Sequence, residues 1–222
     1  DFHLAAEDTA ARDQGADLSD DATINFSTDI DGQSRGTGAG WDIGADEGAV
    51  LIYRSVGPGS TSALAGGWTG TTLTVSGHTA TLSTDLTLNI GVGDLFEYDS
   101  DDNGSLDALA FIAGRASASV YTVQSLTGSG QAGLASTSAA DADWRLYRAY
   151  TSLDDAEGGA ENTGCALFGG AAADLPAAGD GYDLAASNMQ WNIACYADAV
   201  DTDEVVIADW TTAERNYLEI FT

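Results

Sequence analysis

TTLTVSGHTATLS, Thr71–Ser83, decides the fold class. Two runs rich in Thr, Leu and Val meet at Gly77-His78, and such runs across a Gly-containing turn predict a β-hairpin. Working outward, the same texture recurs. Ala49–Val56 (AVLIYRSV), Leu86–Asp99 (LTLNIGVGDLFEYD), Leu106–Arg115 (LDALAFIAGR) and Asp143–Thr151 (DWRLYRAYT) all have strand character. In ASASVYTVQSL, Val120, Thr122 and Gln124 alternate with Tyr121, Val123 and Ser125, the period of two of a half-buried strand. MQWNIACYADAV (189–200), EVVIADW (204–210) and NYLEIFT (216–222) predict three more.

One short helix is predicted: Ser152 caps it, Asp155 follows three on, and Gly158-Gly159 ends it. Residues 126–143 are rich in Gly, Ser, Ala and Thr and predict a long exposed loop. Residues 162–181 form another small-residue loop. Many short strands separated by turn signals predict an all-β sandwich or barrel-like module. Residues 1–47 carry little periodicity and require turns and short strands.

The chain has 222 residues, 27 of them Gly and only 2 Pro, with 44% hydrophobic residues, a composition that suits a globular β protein. Thirty-five acidic residues face seven basic ones, all Arg, for a net charge of -28. That charge repels phosphate and makes nucleic acid and anionic membranes poor partners. Divalent cations or high salt are its natural companions, although an acidic surface also serves solubility. No apolar run approaches the roughly 20 residues of a membrane-spanning helix. The start at Asp1, without Met or a leader pattern, reads as a processed chain or an excised piece. Cys165 and Cys195 either form a disulfide, which suits an oxidising compartment, or are two small buried side chains.

Asp99–Asp107, DSDDNGSLD, follows the template of a calcium loop. Asp99, Asp101 and Asn103 stand at positions 1, 3 and 5, Gly104 at the sharp turn, the Ser105 carbonyl at 7 and the Asp107 carboxylate at 9. Ala110 replaces the bidentate Glu at 12, and strands rather than helices flank the loop. The expectation is therefore a weak extracellular-type calcium site, with Kd of roughly 10⁻⁴ to 10⁻³ M. The competing reading is an Asn-Gly turn without metal. Oxygen ligands without His or Cys argue against zinc and copper. A second acidic group (Asp29, Asp31, Asp42, Asp46 and Glu47) reads as turn and cap chemistry with Arg35 as ion-pair partner. Asn25-Phe-Ser and Asn103-Gly-Ser match the glycosylation acceptor pattern.

Catalytic signatures are missing from the sequence. His3 and His78 have no spaced partner, and neither GxSxG nor HExxH occurs. With 35 acids, carboxylate pairs arise by chance. Trp41, Trp144, Trp191 and Trp210 lie in strand-like apolar patterns and belong to the core. Trp68, in GGWTG, sits among glycines on a loop; it is the candidate for stacking on a sugar ring, and the plainer reading is a Trp that anchors the loop.

The opening residues Phe2, His3, Leu4, Gly15, Asp29, Asp31, Gly32, Arg35, Trp41, Asp42, Gly44, Ala45 and Glu47 resemble the closing segment of secreted right-handed parallel β-helix proteins. These are the pectate-lyase-like and cell-surface anchor-bearing families. VGDLFEYDSDDNGSLDALAFIAGR, YTVQS, WRLYRAYTSLDDAEGGAEN and MQWNIACYADAV resemble β-rich modules found between such helices, and WTTAERNYLEIFT resembles the first coil of a following helix. The resemblance implies export and two segments, 1–48 and 49–222; it implies no reaction. It also implies open strand edges at Phe2, His3 and Leu4 and at Tyr217, Leu218 and Ile220, which would join copies head to tail. The function expected is thus a non-catalytic, calcium-stabilised subunit of an extracellular filament or surface assembly. The alternative is a carbohydrate-binding or spacer module with extracellular polysaccharide as partner.

Overall fold

The computed structural model describes residues 4, 10–23, 27–30, 32, 35, 40–44, 47–128, 133–168 and 182–222. Among the described residues ten strands carry the fold: β1 (Val50–Val56), β2 (Ala65–Gly66), β3 (Leu73–Ser76), β4 (Thr79–Leu82), β5 (Leu95–Tyr98), β6 (Ala108–Arg115), β7 (Val120–Gln124), β8 (Trp144–Tyr147), β9 (Met189–Cys195) and β10 (Leu218–Phe221). Among the described residues the one α-helix is α1 (Leu153–Gly158). The architecture is all-β, as the sequence predicts.

Seven strands form an antiparallel sheet in the order β2-β8-β5-β6-β7-β4-β3. The hairpin at Gly77-His78 is its β3–β4 edge, with Val75 opposite Ala80. The sheet curls around a first core of Leu73, Val75, Leu82, Phe96, Tyr98, Ile112, Tyr121, Val123, Trp144 and Leu146. Phe96 makes edge contacts with Tyr121 and Trp144, both at 5.9 Å between ring centres. The outer edge of β3 is not left open. Val75 accepts from Thr137 N–H at 2.9 Å, and Leu73 exchanges two hydrogen bonds with Asp141 at 2.8 and 3.0 Å. Residues 137–141 lead directly into β8, so the curl is drawn towards closure, a barrel-like solution to an exposed edge. Most described residues of the loop expected at 126–143 are exposed, while Leu134 and Ala135 pack on the first core and Gly128 is buried.

A second, three-stranded sheet is parallel throughout, in the order β1-β9-β10. A second core of Ile52, Val56, Leu95, Phe111, Tyr147, Tyr150, Phe168, Trp191 and Ile193 joins it to the outer face of the curled sheet. This is why β5 is buried on both faces. Arg54 lies in that interface with its guanidinium 3.7 Å from the centre of the Phe111 ring, donating to the carbonyls of Tyr53 and Leu126.

The predicted helix forms with the predicted caps. Ser152 Oγ accepts from Asp155 N–H at 2.9 Å, and Gly159 closes the C-terminus in the left-handed region. Two expectations are overturned. EVVIADW is not a strand; Val206 and Ile207 are exposed, and the segment is tied to α1 by Ala208 N–H and the Trp210 indole N–H, which donate to Glu157. Cys165 and Cys195 are free thiols, not a disulfide. Their surroundings differ. Cys165 is buried in the second core, where burial and the neighbouring Glu97 charge push its thiol up to about 12. Cys195 ends β9 near Asp201.

Candidate functional site

The acidic stretch is the β5–β6 connection. Tyr98 pairs with Ala108 at its base, and Asp107 N–H donates to Tyr98 O at 3.0 Å. Asp99 is buried and organises the turn: its carboxylate accepts from the N–H groups of Asp101 (3.1 Å), Asp102 (2.9 Å) and Gly104 (2.6 Å). Burial works to raise its pKa, and these donors outweigh it, holding the carboxyl below its ordinary value. Asp107 accepts from Ser100, and Asn103 accepts from Ser105 N–H at 2.9 Å. Asp102 and Gly104 adopt positive φ, which the tight reversal demands.

Three of the five expected ligands are brought together. One carboxylate oxygen each from Asp99, Asp101 and Asp107 lies within 4.8 Å of the others. Asn103 and Ser105 are exposed and bonded to each other within the turn. Two further residues join from another part of the chain. Asp141 and Asp143 make a second triplet with Asp99 under the same limit, and a buried oxygen of Asp141 has no hydrogen-bond partner. The signal for them was Asp-Ala-Asp just before the eighth strand. It becomes meaningful only through the β5–β8 pairing, which sets Tyr98 opposite Trp144 and lets Asp99 N–H donate to Asp143 O at 3.0 Å. Four carboxylates around the buried Asp99 repel one another unless a cation or protons intervene.

Trp68 stands beside this loop. The residue is 66% exposed, whereas Trp41, Trp144 and Trp191 are buried and Trp210 packs 6.3 Å from Trp191. Trp68, Gly104, Leu106, Asp143 and Arg145 line a single cleft of about 450 Å³. Leu106, which a calcium-loop template would send into the core, turns to this cleft instead.

The second acidic group has a structural use. Asp42 is buried and accepts from Asp13 and Gly48 N–H groups, both at 2.7 Å, and Arg35 lies 3.9 Å from Glu47. Asp31 and Asp46, like Asn25 of the first glycosylation pattern, lie outside the described residues.

Of the assembly residues, Phe2 and His3 also lie outside the described residues. Leu4 and Tyr217 share a cleft of about 200 Å³ near Arg215, which donates to Leu4 O at 2.7 Å. Leu218 and Ile220 belong to β10, an edge strand. The two edges of the parallel sheet are unlike. On β1, Gln124 donates to Leu51 O at 3.0 Å and accepts from Tyr53 N–H at 2.9 Å. Ser55 donates to Gly93 O and accepts from Tyr150 N–H. On β10, Trp191 N–H bonds Tyr217 O, so the alternation of a parallel strand turns the N–H and C=O of Leu218 and Ile220 away from β9. Among the described residues nothing pairs with that edge.

Fold and site together define an all-β protein with an acidic loop cluster, an exposed aromatic cleft and a parallel edge that no described residue pairs with. No described helix is long and apolar enough to cross a membrane. Comparison with known protein families, with curated proteins and with solved structures finds no match.

Proposed function

We propose that this protein is a non-catalytic extracellular structural protein, a calcium-stabilised subunit that joins its own kind through its terminal β segments. The observation that carries the reading is the contrast between the two edges of the parallel sheet. The outward groups of β1 are satisfied by Gln124, Gly93 and Tyr150, while β10 presents a four-residue edge with Ile220 40% exposed. Such an edge accepts a strand from another chain, and a contact between unlike surfaces propagates unless it closes a ring. The resemblance to β-helix proteins supports an exported setting. Calcium is supported by the two overlapping carboxylate triplets on Asp99 and by the unpartnered buried oxygen of Asp141.

Light scattering and negative-stain imaging in calcium and in chelator test this. Assemblies are expected to grow with protein concentration and to be lost in Ile220→Pro, which removes an outward N–H without touching a β9 hydrogen bond. Millimolar calcium is expected to raise the melting temperature of the parent chain and to do so less in Asp107→Asn. A strictly monomeric species at high concentration would sink the assembly reading. A melting curve indifferent to calcium would sink the metal.

A further inference from the structure

We propose that the cleft beside Trp68 is a binding site for a neutral, β-linked hexopyranose chain, with the Trp68 indole as its stacking floor and Asp143 and Arg145 as its polar wall. The argument begins with how Trp68 is held. It occupies the middle of a single 3-10 turn, Gly67–Thr69, closed by Gly70 N–H on Gly67 O and by Thr69 Oγ on Gly66 O, both at 2.9 Å. The indole lies over Gly66, where any Cβ would collide with the ring, and Gly67 packs against the Ala142 carbonyl with equally little room. The ring is thus fixed against the backbone while the residue stays 66% exposed. A loop-anchoring Trp buries its ring; this one is anchored and left uncovered. Exposed apolar area of that size has a hydration cost which a stacked ligand would remove.

The chemistry around the ring narrows the ligand. A saccharide site needs an apolar platform for ring C–H groups and a few placed donors and acceptors for hydroxyls. Asp143 offers an exposed carboxylate, which accepts, and Arg145 offers an exposed guanidinium, which donates. Leu106 extends the apolar floor. A net charge of -28 disfavours uronates and sulfated sugars, leaving a neutral chain. β-Linked glucopyranose carries its hydroxyls equatorially and so offers an unbroken C–H face to one flat ring. The cleft volume of about 450 Å³ takes a short segment of such a chain. The site does not depend on self-assembly; it shares Asp143 with the carboxylate cluster on Asp99.

Titration of the intact protein with cellohexaose, by calorimetry and by acrylamide quenching of indole fluorescence, tests the proposal. Binding is expected, with the quenchable Trp68 signal shielded on saturation. Trp68→Ala should weaken binding by roughly tenfold, the size of one stacked ring. Asp143→Ala and Arg145→Ala should each weaken it several-fold. Trp68 is exposed, so its variant keeps the parent melting temperature. Equal binding by Trp68→Ala, or no heat and no shielding at millimolar cellohexaose, overturns the proposal. Binding of maltohexaose with cellohexaose inert overturns the β-linked assignment. Shielding that follows protein concentration alone assigns the cleft to a second copy of the chain and overturns it too.

Discussion

Glu47, 7% exposed, accepts from Asp42 N–H at 3.1 Å just before β1. Burial is the main cause that pushes its carboxyl up, from an ordinary 4.5 to about 7; the hydrogen bond from Asp42 N–H opposes the rise, the Asp42 charge adds to it and Arg35 opposes it. The sign follows from linkage. The native state holds this proton more tightly than the unfolded chain, so protonation favours folding. Its contribution is complete below about 4.5, is lost as pH rises towards about 7, and leaves a constant penalty above that. Glu47→Gln keeps an acceptor for Asp42 N–H and removes the titration. Melting temperature against pH should therefore be flatter for the variant across this window. The variant should also be the more stable protein above pH 7. Parallel curves for the two proteins would show that Glu47 titrates like an exposed acid. The sequence groups Glu47 with Asp29, Asp31, Asp42 and Asp46 and offers Arg35 as partner, but only the packing of Asp42, Glu47 and Gly48 around Arg35 and Trp41 sets its titration apart.

At the scale of elements, local signals were legible and long-range pairing was not. The β3–β4 hairpin, the strand at 120–124 and the cap of α1 each depend on residues within about ten positions, where period and turn chemistry decide. EVVIADW has the right residues for a strand, but strand propensity largely measures fit to a neighbouring surface, and residues 204–210 meet Glu157 instead of a sheet. The acidic loop was legible over its own nine residues. Its second half, Asp141 and Asp143, required the register of β8 on β5. The α1 cap offers a direct measure of one such local signal. Ser152 is buried at 3%, and its Oγ is the acceptor for Asp155 N–H. Ser152→Ala should cost about 1 kcal/mol by urea denaturation, with an unchanged m-value. A loss near zero would mean that tertiary contacts of Ala156 alone hold the helix.

At the scale of the molecule, the parallel sheet shows a repeat that the sequence conceals. Asn216 donates to Asn188 Oδ1 at 3.1 Å across a separation of 28 residues, and both side chains are buried. Asp183 bridges Thr211, and Trp191 pairs with Leu218, at that spacing or one residue less. The next layer continues below: Asn188 Nδ2 donates to Glu47 O at 3.0 Å, and Val50 N–H donates to Asn188 O. Three successive layers therefore stack in parallel, with the curled sheet inserted between the first and second. Stacked amides repeat a hydrogen bond from layer to layer, as side-chain ladders do in other parallel stacks. The insertion separates β1 from β9 by more than a hundred residues, so no short-window reading of the sequence could pair them. Asn216→Ala would leave Asn188 Oδ1 buried without this donor, at a cost of about 1–3 kcal/mol. The loss should be local, because the curled sheet has its own core. Hydrogen exchange should accelerate at residues 211–221 and stay unchanged at β5–β8. Uniform acceleration through both sheets would mean that the stack and the curled sheet unfold as one unit. An unchanged 211–221 would mean that pairing of β10 with β9 holds the last layer without the amide contact.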